Sequence, residues 1–193
     1  PFTIAFLAAL ALATGVKLWL AARHVRHVAG NRELLPPEFG ASITLAAHRK
    51  AADYTVAKTR LAMLETVIGA LMVLLFTLGG GLDALSAAWT RVFEFGGYAH
   101  GIALIFSLVV ISSILDLPFS IYRTFVVEQR FGFNRMTAKL FLADLGKHTV
   151  VGAAVGIPLL FCVLWLMAGM GEYWWLYVWL AWAAFNLLLL TLY

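Results

Sequence analysis

The sequence predicts an all-α polytopic membrane protein, with about five transmembrane helices and one long helix projecting into the cytoplasm. Three observations carry that reading. Of 193 residues, 63% are hydrophobic and 12% charged, against about 45–50% and about 25% in an ordinary soluble domain. So much apolar surface cannot be covered by so few polar groups, and the surplus must face lipid. Five apolar runs reach the roughly 20 residues that a helix needs to cross a hydrocarbon core about 30 Å thick. The basic residues, finally, fall mainly into alternate loops, as membrane orientation requires.

The spans are expected at Phe2 to Leu20, Leu61 to Leu78, Gly101 to Tyr122, Thr149 to Met170 and Tyr173 to Tyr193. The first is Ala-rich and N-terminal, but its apolar core exceeds the 7–15 residues typical of a signal peptide and no basic segment precedes it. It reads as a retained span. Between the first two spans stand seven basic residues, Arg23, Arg26, Arg32, Arg49, Lys50, Lys58 and Arg60, against Glu33, Glu38 and Asp53. The connection after the third span holds five, Arg123, Arg130, Arg135, Lys139 and Lys147, against Glu128 and Asp144. The other two connections carry only Arg91. This bias predicts a cytoplasmic location for both basic connections, an outside N-terminus and a cytoplasmic C-terminus.

Pro36-Pro37 stops any helix continuing from the first span. With no Gly or Pro from Ala41 to Ile68, a helix of about 38 residues and near 55 Å is expected to run through the basic stretch into the second span. On it Arg49 and Asp53, and likewise Tyr54 and Lys58, are four residues apart and share a face. Gly79-Gly80-Gly81 forms the exit turn. Trp89, Phe93, Phe95 and Tyr98, together with Tyr173, Trp174, Trp175 and Tyr177, suit an interfacial belt on the outer side. The stretch from Leu117 to Lys147 reads as a helix leaving the membrane, a break at Gly132 and a second helix capped by Asn134 or Thr137. Asp144 and Lys147, three apart on that second helix, are placed to pair. No internal repeat or low-complexity linker interrupts this single domain, residues 1–193.

Common catalytic signatures are missing from these residues. None of the five histidines begins His-Glu-x-x-His, the pattern that sets two imidazoles on one helix face beside a general base. His24 and His27 are three apart, but Arg23 and Arg26 beside them would repel a divalent cation. Gly-x-Ser-x-Gly is absent, and Cys162 lies in Leu-Phe-Cys-Val-Leu with no cation to lower its pKa. A single cysteine excludes an internal disulfide framework. The basic charge belongs to membrane loops, so no nucleic-acid partner is expected. Asp116, deep in the third span and two residues before Pro118, is the costliest charge; it should face a wet interior or bond Arg123 or a neighbouring helix. Glu65 is expected to stay hydrated near Arg60, and Asn186 to form an interhelical hydrogen bond.

Pro118, Tyr122, Phe125-Val126-Val127-Glu128, Gly132-Phe133-Asn134, Thr137, Asp144 and Lys147 together resemble the signature loop in the N-terminal membrane domain of type I CAAX prenyl proteases, the Ste-type integral membrane zinc metalloendopeptidases. Leu35-Pro36 with Phe39, and Ala51-Ala52-Asp53-Tyr54-Thr55 followed by Lys58, resemble that domain's first cytoplasmic segment. The resemblance implies helices around a large intramembrane chamber and a zinc ion held by a His-Glu-x-x-His pair plus a later Glu. Those ligands would follow the fifth span, beyond Tyr193. The 193 residues would therefore bind no zinc and be inactive alone, with a C-terminal catalytic domain of the same chain, the lipid bilayer and a peptide or membrane-protein substrate as partners. The resemblance singles out Tyr54, Lys58, Asp116, Pro118, Glu128, Gly132, Phe133, Asn134, Asp144 and Lys147 as signature or chamber residues. Two other readings stand beside it. One is a membrane scaffold or pseudoenzyme that binds a partner through its basic loops; the other is a small transporter with Asp116 as the pathway charge.

Overall fold

The computed structural model describes residues 1–35 and 43–192. Helix α1 spans Phe2–Gly30, α2 Leu45–Thr77, α3 Gly81–Trp89, α4 Tyr98–Tyr122, α5 Ala138–Gly169 and α6 Trp174–Leu192. A π-helical segment, Arg123–Glu128, continues α4, and one 3-10 turn, Gly171–Tyr173, precedes α6. No strand occurs among the described residues. Five of these helical stretches are long and apolar enough to cross a membrane, the number expected from hydropathy. Large apolar side chains such as Trp179 and Leu187 are 61% and 64% exposed. That outward-facing hydrophobicity defines a multi-pass membrane protein rather than one packed around an internal core.

The helix ends follow local chemistry. Helix α1 runs ten residues beyond the expected span to Gly30, where the Asn31 side-chain amide donates to the His27 carbonyl at 2.8 Å. Helix α2 begins later than the unbroken run of good helix formers suggested. The Thr44 hydroxyl accepts from the Ala47 amide at 3.2 Å, and this N-cap sets the start at Leu45. Its 33 residues still give a rod of about 50 Å. The expected start near Pro37 and the signature positions Pro36 and Phe39 lie outside the described residues. Gly80 adopts φ +76° at the exit turn. The short α3 that follows was not expected.

The chain divides into two compact units, residues 1–82 with 112–136, and residues 83–111 with 137–193. In the first, α1 packs along α2, and the π-helical segment packs on α2. Ala52, Leu61, Val127 and Phe131 are its buried apolar residues. In the second, α5 packs on α6. A Cβ on Gly101 would lie 3.0 Å from Leu164 of α5, so glycine lets α4 approach closely there. His100 is buried in this unit with its ring 3.2 Å from the Ser86 hydroxyl. Trp89 donates to the Ser107 hydroxyl at 2.9 Å, and the Tyr98 and Phe161 rings meet edge to face. Asn186 bonds the Trp182 carbonyl of its own helix at 2.8 Å, not a neighbouring helix. In an exposed helix turn, the carbonyl four residues back is the nearest acceptor.

A basic and aromatic junction as the candidate functional site

The first unit joins the chain's two polar segments. Arg32, just after α1, reaches Asp53 of α2 through paired hydrogen bonds, Nε to Oδ1 at 2.7 Å and Nη2 to Oδ2 at 2.8 Å. The same guanidinium donates to Glu33 at 2.9 Å, and Arg49 pairs with Glu33 as well. Arg49 and Asp53 therefore share a face without pairing, because each finds a better-placed partner across the α1–α2 connection. The fork geometry of arginine favours such two-point contact. Hydrogen bonding to Asp53 raises the Arg32 pKa above its ordinary value. Asp53, eight residues ahead of the apolar run at Leu61, is held below its ordinary value. Hydrogen bonds from Arg32 are the main cause; partial desolvation opposes them, and the charges of Arg32 and Arg130 add to the lowering.

Next to Asp53 on α2, Tyr54 meets the segment that leaves α4. Its ring contacts Phe131 edge-on at 5.6 Å and Phe133 at 4.9 Å, and Lys50 Nζ lies 5.3 Å over the Phe133 ring. Lys58 Nζ stands 5.9 Å from the Tyr54 ring, so the expected Tyr54 and Lys58 face exists as a cation–π contact. The backbone makes this meeting possible. Gly132 adopts φ +69°, a left-handed conformation that suits glycine, and the Glu128 carbonyl then accepts from both Phe133 and Asn134. Asn134 Oδ1 accepts from Met136 at 2.7 Å and its amide donates to Gln129 at 3.0 Å. Thr137, rather than Asn134, caps the following helix by accepting from Leu140. The wide π-helical turns precede this bend and place Val127 and Phe131 against α2.

Other expected positions stand apart. Pro118 lies inside α4 and lines a cavity of roughly 530 Å³ against α2. Arg123 bonds Glu65 of α2, not Asp116; its Nε is buried without an acceptor among the described residues. Glu65 is thus tied to Arg123 rather than left hydrated beside Arg60. Asp116 is exposed on α4 and makes no ion pair or hydrogen bond among the described residues. Asp144 and Lys147 lie on α5, in the second unit, and form no ion pair with each other. Spacing alone put them on one face; water or other groups can compete for exposed charges. Sequence reasoning missed the Arg32, Glu33 and Arg49 network, the Arg123–Glu65 bond and the burial of Phe131 and of the signature residue Val127. No local pattern signals the Arg123–Glu65 contact, whose members are 58 residues apart. Among the described residues, no group of three or more His, Cys, Asp or Glu is placed to hold a metal ion.

Fold and junction define a class first: a multi-pass helical membrane protein whose two separated polar segments meet in an ion-paired, aromatic junction. Residues 24–193 match the family described as CAAX prenyl protease N-terminal, five membrane helices, and the chain belongs to that family. It is 27% identical over 199 residues to a CAAX prenyl protease 1 homolog of Homo sapiens, covering 97% of this chain and 41% of that protein. A CAAX prenyl protease 1 homolog of Caenorhabditis elegans is 29% identical over 147 residues, covering 76% of this chain and 32% of that protein. The crystal structure of S. mikatae Ste24p shares the fold, with a TM-score of 0.83 at 23% identity over 93% of this chain and 42% of that one. The chain thus spans about two-fifths or less of the length of these relatives.

Proposed function

We propose that these helices are the membrane-embedded N-terminal domain of a zinc metalloendopeptidase of the CAAX prenyl protease type. They supply the wall of an intramembrane chamber and the anchor, while a following catalytic domain of the same chain supplies the zinc ligands. The zinc-bound water would attack a peptide carbonyl with a glutamate as general base. The substrate is a membrane-associated or prenylated peptide. The two basic connections face the cytoplasm, with the N-terminus outside, because basic residues are retained on that side. The observation that carries this reading is the family match across residues 24–193.

The test compares this chain with a protein that continues past residue 193 in the same reading frame. Zinc content and cleavage of a farnesylated CAAX peptide are measured for both. The proposal expects stoichiometric zinc and cleavage from the longer protein and neither from residues 1–193. Tight stoichiometric zinc on the short protein, or an inactive and metal-free longer one, contradicts it.

A further inference from the structure

The cavity between α2 and the end of α4 is mainly apolar, with two arginines in its lining. Apolar side chains, among them Leu61, Leu64, Pro118 and Phe119, make up most of its lining, and Arg60 and Arg130 join them. The sequence explains where the arginines fall. Arg60 immediately precedes the apolar run of α2, whereas Arg130 follows the π-helical segment after α4 leaves its own apolar run. The two helices run in opposite senses through this region, as the Tyr54–Phe131 contact and the Arg123–Glu65 bond require. Both arginines consequently lie toward the Tyr54 side of the cavity, with Ala57, Val127 and Phe131 beside them in the lining. Neither guanidinium is ion-paired among the described residues, and both residues are exposed. Other arginines nearby are already committed, Arg32 to Asp53 and Arg123 to Glu65.

We propose that this groove is a binding site for a phospholipid with an anionic headgroup. The phosphate sits between Arg60 and Arg130, and the upper part of one acyl chain lies along Leu61, Leu64 and Phe119. Charge complementarity carries the choice of occupant. Two arginines that form no ion pair among the described residues, beside an apolar groove in a membrane protein, suit an amphiphile with a negative head, and guanidinium matches phosphate geometry at two points. A cavity of roughly 530 Å³ falls within the range of small-molecule sites. The site holds its ligand without covalent chemistry and does not depend on the protease reading.

The purified chain in zwitterionic micelles is offered phosphatidylglycerol, phosphatidylcholine or inorganic phosphate, and retained lipid is counted by native mass spectrometry alongside the thermal midpoint. The expectation is one phosphatidylglycerol retained at least about tenfold more tightly than phosphatidylcholine, with inorganic phosphate giving no shift, since it lacks the chain. The double variant R60Q/R130Q loses this preference by about tenfold or more. The variant R60K/R130K recovers part of it, and R91Q, in another connection, leaves it unchanged. Equal retention of the two lipids by the unmodified chain overturns the proposal, as does undiminished preference in a folded R60Q/R130Q. Should the double variant not fold, R60Q alone supplies the comparison, because Arg60 forms no ion pair among the described residues. Preference unchanged in R60Q would then count against the site.

Discussion

At the residue scale, the account rests on which charges find partners. The Arg123–Glu65 pair joins two helices, with side chains 39% and 26% exposed. It lies between an exposed pair, worth about 0–1 kcal/mol, and a buried one, whose breakage costs about 3–5 kcal/mol. The variant E65Q should lower stability by about 1–3 kcal/mol in micelles, and a double-mutant cycle with R123Q should return a coupling of the same sign. The Arg32–Asp53 pair makes a pH prediction. Arg32 lowers the Asp53 pKa from 3.8, so the stabilisation is complete above that unfolded value. It is lost as the pH falls through the lower folded value. Denaturation scans from about pH 6 to about pH 3 should show a shallower acid-side loss in D53N than in the unmodified chain. Little of this pairing was legible in sequence. Asp53 has Arg49 four residues before it, yet its partner is Arg32, twenty-one positions away, and such choices depend on how α1 meets α2.

At the element scale, the number and approximate limits of the spans were legible because length and hydropathy decide them. So was the break at Gly132, where a glycine interrupts a helical pattern and adopts φ +69°. The π-helical segment was not legible, since no turn residue marks it, although it packs on α2 with Val127 buried. The late end of α1, ten residues beyond the expected span, and the late, capped start of α2 were not read from sequence, since single side-chain bonds at Asn31 and Thr44 mark them. Two glycine substitutions of opposite sign follow. G132A should destabilise by about 1–2 kcal/mol, because alanine pays for the left-handed conformation. G146A, inside α5 with nothing within 4 Å of the added Cβ, should stabilise by roughly 0.5–1 kcal/mol. Thermal midpoints of the purified proteins check both.

At the scale of the whole molecule, the family and fold describe helices whose large apolar side chains look outward, with Asp116 exposed among them. Composition made the membrane class legible, and the signature around Gly132-Phe133-Asn134 made the family legible. The junction that brings Tyr54 onto Phe133 depended on long-range packing. A carboxylate on a spanning helix is costly against lipid and tolerable against water, and a chamber wall would give Asp116 that water. The direct measurement is thiol accessibility in bilayer vesicles of the protein that continues past residue 193, with Cys162 replaced by alanine. Cysteine is placed either at 116 or at the exposed apolar position 187. The account predicts that a water-soluble maleimide labels D116C at a rate close to that of a solvent-exposed thiol and leaves L187C largely unreacted. Equal protection of the two positions would contradict a water-filled chamber lined by α4.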